Sequence, residues 1–186
     1  TGFEDESFRE LIEGLAETAQ KTGARVIGGN LSQGPCLSVT TTVFGPPLRD
    51  PLRRSGARPG DAVYVTGTLG AAALGLALLQ SGRTELEHTS RFIGRWRRPP
   101  INAYAVEPLS KLATAAVDVS DGCLQDLQHL CKASEVGARL LAAELPTSTG
   151  HETTATELGL DPLRLALSGG EDYELLFTAP PSDDAA

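Results

Sequence analysis

Ala116-Val117-Asp118-Val119-Ser120-Asp121-Gly122-Cys123-Leu124-Gln125-Asp126-Leu127 reads as a short apolar strand, a polar loop and the start of a helix. The strand runs into Asp118, the loop presents Ser120, Asp121 and Gly122, and the helix carries Leu124, Leu127, Leu130 and Cys131 at helical spacing. Two carboxylates and a hydroxyl are thereby placed where a strand ends and a helix begins. Hard cations such as Mg2+ take oxygen ligands and often bridge a few carboxylates to a nucleotide's phosphates. A helix amino terminus also offers free N–H groups to an anion. The segment reads as a Mg-phosphate site. Capping by Ser120 or Asp121 would explain one polar residue, but not a second acid at the strand end.

Strands and helices alternate outward from this stretch, which predicts an α/β (mixed α+β) fold. Residues 5–22 have Phe8, Leu11, Ile12, Leu15, Ala16 and Ala19 at three-four spacing, a helix stopped by Gly23. Strands are expected at 24–27 and, from its β-branched content, at 37–44. The proline- and arginine-rich stretch that follows reads as a crossover. Beyond it the pattern predicts a strand at 62–66, a small-residue helix at 71–80, a helix at 101–112, the strand at 115–118 and its helix at 123–134. Residues 138–143 are a further strand candidate, 146–161 carry a weak pattern, and 174–178 read as a strand.

Hydrophobic residues make up 40% of the 186, enough for a packed core. The net charge of -8 argues against nonspecific nucleic-acid binding, which needs a basic face. Arg91, Arg95, Arg97 and Arg98 do cluster around Trp96, and they read as a solvated helix end before Pro99-Pro100. No run is apolar and long enough to span a bilayer, so no membrane partner is expected. Cys36, Cys123 and Cys131 have no CxxC spacing. They fit a reducing cytoplasm and core roles better than a disulfide, a zinc site or a catalytic thiol. His88, His129 and His151 are read as bystanders.

Three more features bear on the chemistry. Gly28-Gly29-Asn30-Leu31-Ser32 follows a predicted strand, where glycines let a backbone approach a phosphate; it is also an ordinary turn sequence. It matches neither the Walker pattern nor the dinucleotide fingerprint. Ser168-Gly169-Gly170-Glu171-Asp172-Tyr173 puts two acids on a glycine turn, for which an exposed turn is the simpler reading. Arg53-Arg54 near the crossover suits phosphates through the guanidinium fork, and a surface role suits it equally.

In combination the stretches RVIGGNLSQGP, RSGARPGDAVYVTGTLG, VDVSDGCLQDLQHL and LSGGEDYELLFT resemble the thiamine-monophosphate kinase family, part of the group with the aminoimidazole ribonucleotide synthetase fold. The resemblance runs from about Phe8 to Thr178. It implies a two-domain architecture, with residues 1–50 the end of an ATP- and metal-binding domain, 51–60 a crossover and 61–186 a C-terminal domain. It also implies ATP-dependent, Mg2+-assisted phosphorylation of thiamine monophosphate to thiamine diphosphate, in a homodimer. By motif position, Asp118 and Asp121 match metal ligands, and Ser120 and Arg54 match ATP contacts. Gly29 and Asn30 match a Gly-Asp pair that touches ATP and metal, and Glu171, with Asp172 beside it, matches an acid near the substrate.

The chain departs from that pattern in two ways. Asn30 stands where the family usually has Asp; it offers a carbonyl oxygen without charge, so one Mg2+ is expected to be held more weakly. The sequence begins at Thr1, contains 0 Met, and lacks both the family's upstream aspartate-rich segment and its C-terminal thiamine-enclosing region. It is therefore expected to be an internal fragment, inactive by itself. The alternatives are a catalytically impaired nucleotide-binding homologue and another ATP-using synthetase of the fold group; the Ser-Gly-Gly-Glu-Asp-Tyr turn speaks against the second.

Overall fold

The structure is a computed structural model that describes residues 5–47 and 49–181. The chain falls into two compact units that divide between Pro46 and Pro47.

Among its described residues the first unit contains one helix, α1 (Asp5–Thr22), as the three-four spacing predicts. Asp5 and Glu6 sit in its first turn and Lys21 in its last, each on the favourable end of the helix dipole. Gly23, at φ +71°, ends it: the Gly23 and Ala24 N–H groups turn back onto the Gln20 and Ala19 carbonyls. The strands expected at 24–27 and 37–44 are not formed. Val26, Ile27, Leu37, Val39, Val43 and Phe44 are all exposed. A strand draws its stability from a ladder partner and a buried face, and among the described residues these segments have neither.

The second unit is built on a three-stranded antiparallel sheet, β1 (Ala62–Val65), β2 (Ala115–Asp118) and β3 (Leu175–Ala179), with β3 in the centre. The helices are α2 (Ala71–Ser81), α3 (Thr89–Arg97), α4 (Ala103–Leu112), α5 (Cys123–Ser134), α6 (His151–Glu157) and α7 (Pro162–Ser168). One core joins the sheet to α5 through Val117, Val119, Leu176, Cys123, Leu127 and Leu130. Leu124, expected on that apolar face, is exposed instead, because Cys123 takes the inward position. A second core joins α2, α3 and α6 through Leu74, Leu78, Phe92 and Ala155. Gly75 allows it: a Cβ there would meet the Phe92 carbonyl, so the glycine sets how closely α2 and α3 approach.

The stretch 51–60 lies against this unit. Ala57 is buried in the first core, the Arg53 carbonyl accepts the Ala116 N–H, and Ser134 Oγ donates to the Arg54 carbonyl. The strand expected at 138–143 is absent; residues 142–144 form a single 3-10 turn and Leu141 is exposed. The weakly patterned 146–161 stretch contains α6, and α7 follows it. The start of α7 carries a readable signal: Asp161 accepts the N–H groups of Leu163 and Arg164, with Pro162 at the first helical position.

Candidate functional site

The register of the sheet assembles the site. Asp118 of β2 faces Leu175 of β3, so the loop leaving β2 and the loop entering β3 must run side by side. Backbone bonds continue the ladder between them. The Val119 N–H donates to the Glu174 carbonyl at 2.8 Å, Tyr173 N–H to Val119 at 2.8 Å, and Glu171 N–H to Ser120 at 2.9 Å. Two motifs about fifty residues apart in sequence thus form one edge. Gly122, at φ +117°, and Gly170 permit the contact: a Cβ on Gly170 would lie 2.6 Å from the Ser120 carbonyl, and one on Gly122 3.0 Å from Ser168.

Asp126 shapes the loop. It is 2% exposed, and its Oδ2 accepts N–H bonds from Ser120 at 3.0 Å, Asp121 at 3.0 Å and Gly122 at 3.1 Å. Asp126, the third acid of the stretch, is thus a buried staple and not a ligand facing solvent. The cap of α5 also runs the other way from the one expected. Gly122 is the N-cap without a side-chain bond, and Asp126 reaches back from inside the helix. The three loop N–H groups serve this acid and are not open to an anion. What the loop presents outward is Asp118 and Asp121, both exposed, and half-buried Ser120, with Gln125 Nε2 donating to Asp121 Oδ2 at 3.1 Å.

The acids of the second loop divide. Glu171 is exposed and its Oε2 accepts Trp96 Nε1–H at 2.7 Å. Asp172, expected beside the substrate, is turned inward and is 1% exposed. Its Oδ2 accepts the Gly70 N–H at 2.6 Å and its Oδ1 the Ala72 N–H at 3.0 Å, so it caps α2. Burial pushes its carboxyl above the ordinary range, against those two bonds and the Arg95 charge. Asp172 is corrected from a substrate contact to a structural acid, because both of its oxygens are engaged in the interior.

Glu174 was read only as the start of a strand, yet it anchors a polar network. Its side chain is 5% exposed and receives Arg95 Nη2 at 2.7 Å, Thr66 Oγ1 at 2.6 Å and Asn102 Nδ2 at 3.2 Å. An acid at the head of an apolar strand with an arginine-rich helix elsewhere was the available signal. Arg95 belongs to this buried network and Trp96 is half-buried, so the cluster is not a solvated helix end alone.

Arg54 is exposed in the second unit, held through its carbonyl. Gly29 and Asn30 lie in the first unit, both exposed. Cys123 is buried, and its thiol is pushed up to about 11 by burial and by the Asp126 and Asp172 carboxylates; it is a core residue in neutral form. His129 is exposed. His151 is fully buried, its pKa lowered by burial. Among the described residues no group of three or more His, Cys, Asp or Glu would hold a metal ion alone. A cavity of about 600 Å³ opens between the sheet, α5 and residues 136–146, and none of Asp118, Ser120, Asp121 or Glu171 lines it. Among the described residues no helix is long and apolar enough to cross a membrane.

Sheet, paired loops and capping acids together define a domain type. Residues 58–186 match the family described as AIR synthase related protein, C-terminal domain, and the chain belongs to that family. Within it, the similarity points to one branch. The chain is 44% identical over 183 residues to the thiamine-monophosphate kinase of Escherichia coli (strain K12), covering 95% of this chain and 54% of that protein. It also superposes on a solved structure, AaThiL complexed with AMPPCP and TMP, with TM-score 0.66 and 41% identity over 69% of this chain and 42% of the other. E. coli HypE, a hydrogenase maturation protein, shares the fold at TM-score 0.68 and 17% identity, covering 96% of this chain and 55% of the other. The chain spans about half the length of the curated relatives it matches.

Proposed function

We propose that the whole protein is a thiamine-phosphate kinase, which transfers the terminal phosphoryl group of ATP to the phosphate of thiamine monophosphate. One observation carries the reading: the β2–β3 register places Asp118, Ser120 and Asp121 beside Glu171 on one polar edge. The similarity to kinases of that name, and to a structure holding TMP with AMPPCP, a methylene analogue of ATP, supports the substrate pair.

The acceptor is a phosphate oxygen, already ionised at neutral pH, so no strong general base is needed. That oxygen forms the new P–O bond in line as the bond to the β-phosphate breaks and ADP leaves. Repulsion between two anions is the chief obstacle, and positioned donors and charge answer it. Asp118 and Asp121 of the second unit are exposed hard-oxygen donors and would hold Mg2+. When bound, Mg2+ supplies neutralisation of the phosphate charge. Motif position supports Ser120 and Arg54 of the second unit as ATP contacts and Glu171 as the contact to the thiamine moiety; for Gly29, in the first unit, motif position alone supports an ATP contact. The protein works as a homodimer in the cytoplasm.

The test is thiamine diphosphate formation from thiamine monophosphate, ATP and Mg2+ by the whole protein. Asp118→Ala should abolish most turnover, whereas Glu152→Ala, on the exposed side of α6, should not; equal effects would remove the metal assignment. Asn30 favours a second reading, a nucleotide-binding homologue with impaired catalysis, and ATP binding without product would select it.

A further inference from the structure

Glu171 is fixed at both ends. Its backbone sits in the left-handed region at φ +67°, which a non-glycine residue holds only when its surroundings over-determine it. They do: its N–H bonds to Ser120, and two residues on, Tyr173, at φ +50°, bonds to Val119. The side chain is held from another element. Glu171 Oε2 accepts the indole N–H of Trp96 at 2.7 Å. Trp96 is the only tryptophan of the chain and lies in the last turn of α3, half-buried. The helix end that carries it is itself secured, since the neighbouring Arg95 is locked onto buried Glu174 and also reaches the Asp172 carbonyl.

An exposed glutamate otherwise samples several rotamers. An indole N–H is a donor only. It can orient the carboxylate through one oxygen while leaving the charge and the second oxygen available to a cationic heterocycle such as a thiazolium ring. We infer that Trp96 is a positioning residue that holds the Glu171 carboxylate for the thiamine moiety and so sets affinity for thiamine monophosphate, not for ATP. The inference rests on the reading of Glu171 as the substrate acid.

The test uses the whole protein with Trp96→Phe, which keeps an aromatic ring and removes the donor, together with Glu171→Ala and the double variant. Loss of one hydrogen bond to a partly exposed carboxylate should raise KM for thiamine monophosphate about fivefold. KM for ATP and kcat should stay within about twofold. In the Glu171→Ala background, Trp96→Phe should add nothing further. Calorimetric titration with thiamine monophosphate in the absence of ATP should show the same loss in Kd and does not depend on turnover. An unchanged KM and Kd in Trp96→Phe, an equal rise for both substrates, or a full additional effect on top of Glu171→Ala would each overturn the inference. If Glu171→Ala weakens thiamine monophosphate and Trp96→Phe does not, only the positioning role falls. If Glu171→Ala itself changes nothing, the substrate-acid reading falls and the inference with it.

Discussion

Removing the Asp126 carboxylate should unlatch the loop that carries Ser120 and Asp121, and the cost follows from its three bonds. One oxygen accepts the N–H groups of Ser120, Asp121 and Gly122, at 3.0 to 3.1 Å. A hydrogen bond to a charged group contributes about 1.5–3 kcal/mol, but three donors sharing one oxygen do not add. In Asp126→Ala, water can reach the partly buried Ser120 and Asp121 N–H groups, whereas the buried Gly122 N–H is left unsatisfied at about 1–3 kcal/mol. The favourable position of the acid in the first turn of α5 adds about 0.3–1 kcal/mol. The total loss should be about 3 kcal/mol. Asp126→Asn keeps a neutral acceptor and should lose about 1 kcal/mol. Urea unfolding read through Trp96 emission reports the second unit, in which both residues lie. A loss below about 1 kcal/mol for the alanine variant, or equal losses for Ala and Asn, would refute the staple.

Asn30→Asp should lower the Mg2+ concentration needed for half-maximal activity of the whole protein, and an unchanged Mg2+ dependence would remove the metal role from that position. The pKa of His151 is lowered from 6.5 by burial, so the unfolded chain binds its proton more readily than the folded one. Its contribution to stability is present above pH 6.5 and is lost as the pH falls toward the folded value; His151→Gln should flatten denaturation midpoints across that range, and identical profiles would contradict it. Cys123, buried and with its thiol raised to about 11, should resist iodoacetamide at neutral pH while exposed Cys36 reacts; mass mapping of early labelling checks this, and equal labelling would refute it.

Local pattern carried much of the molecule. The strand–loop–helix unit around Asp118, the helix at 5–22 and the small-residue helix begun at Ala71 each follow from spacing and punctuation that the chain satisfies within itself. Where a segment needs a distant partner, pattern alone misled. The β-branched run at 37–44 has the composition of a strand and no ladder to join among the described residues, and the strand expected at 138–143 is not formed either. Helix α6 was hidden in a Thr-rich stretch, because the packing of His151 and Thr154 makes it a helix, not its own periodicity.

The site divides in the same way. Asp118, Ser120, Asp121 and Glu171 stand out in sequence by residue type and motif position, and the structure leaves them exposed or half-buried on the paired loops. Which acids face outward is not legible in sequence, since Asp126 and Asp172 look no different from their neighbours there. Only the antiparallel register of β2 on β3 decides that the two loops meet, and only the packing of α2 and α5 decides that these two acids turn inward to satisfy backbone N–H groups. A buried carboxylate must find donors, and the donors lie on segments whose proximity the tertiary fold alone creates.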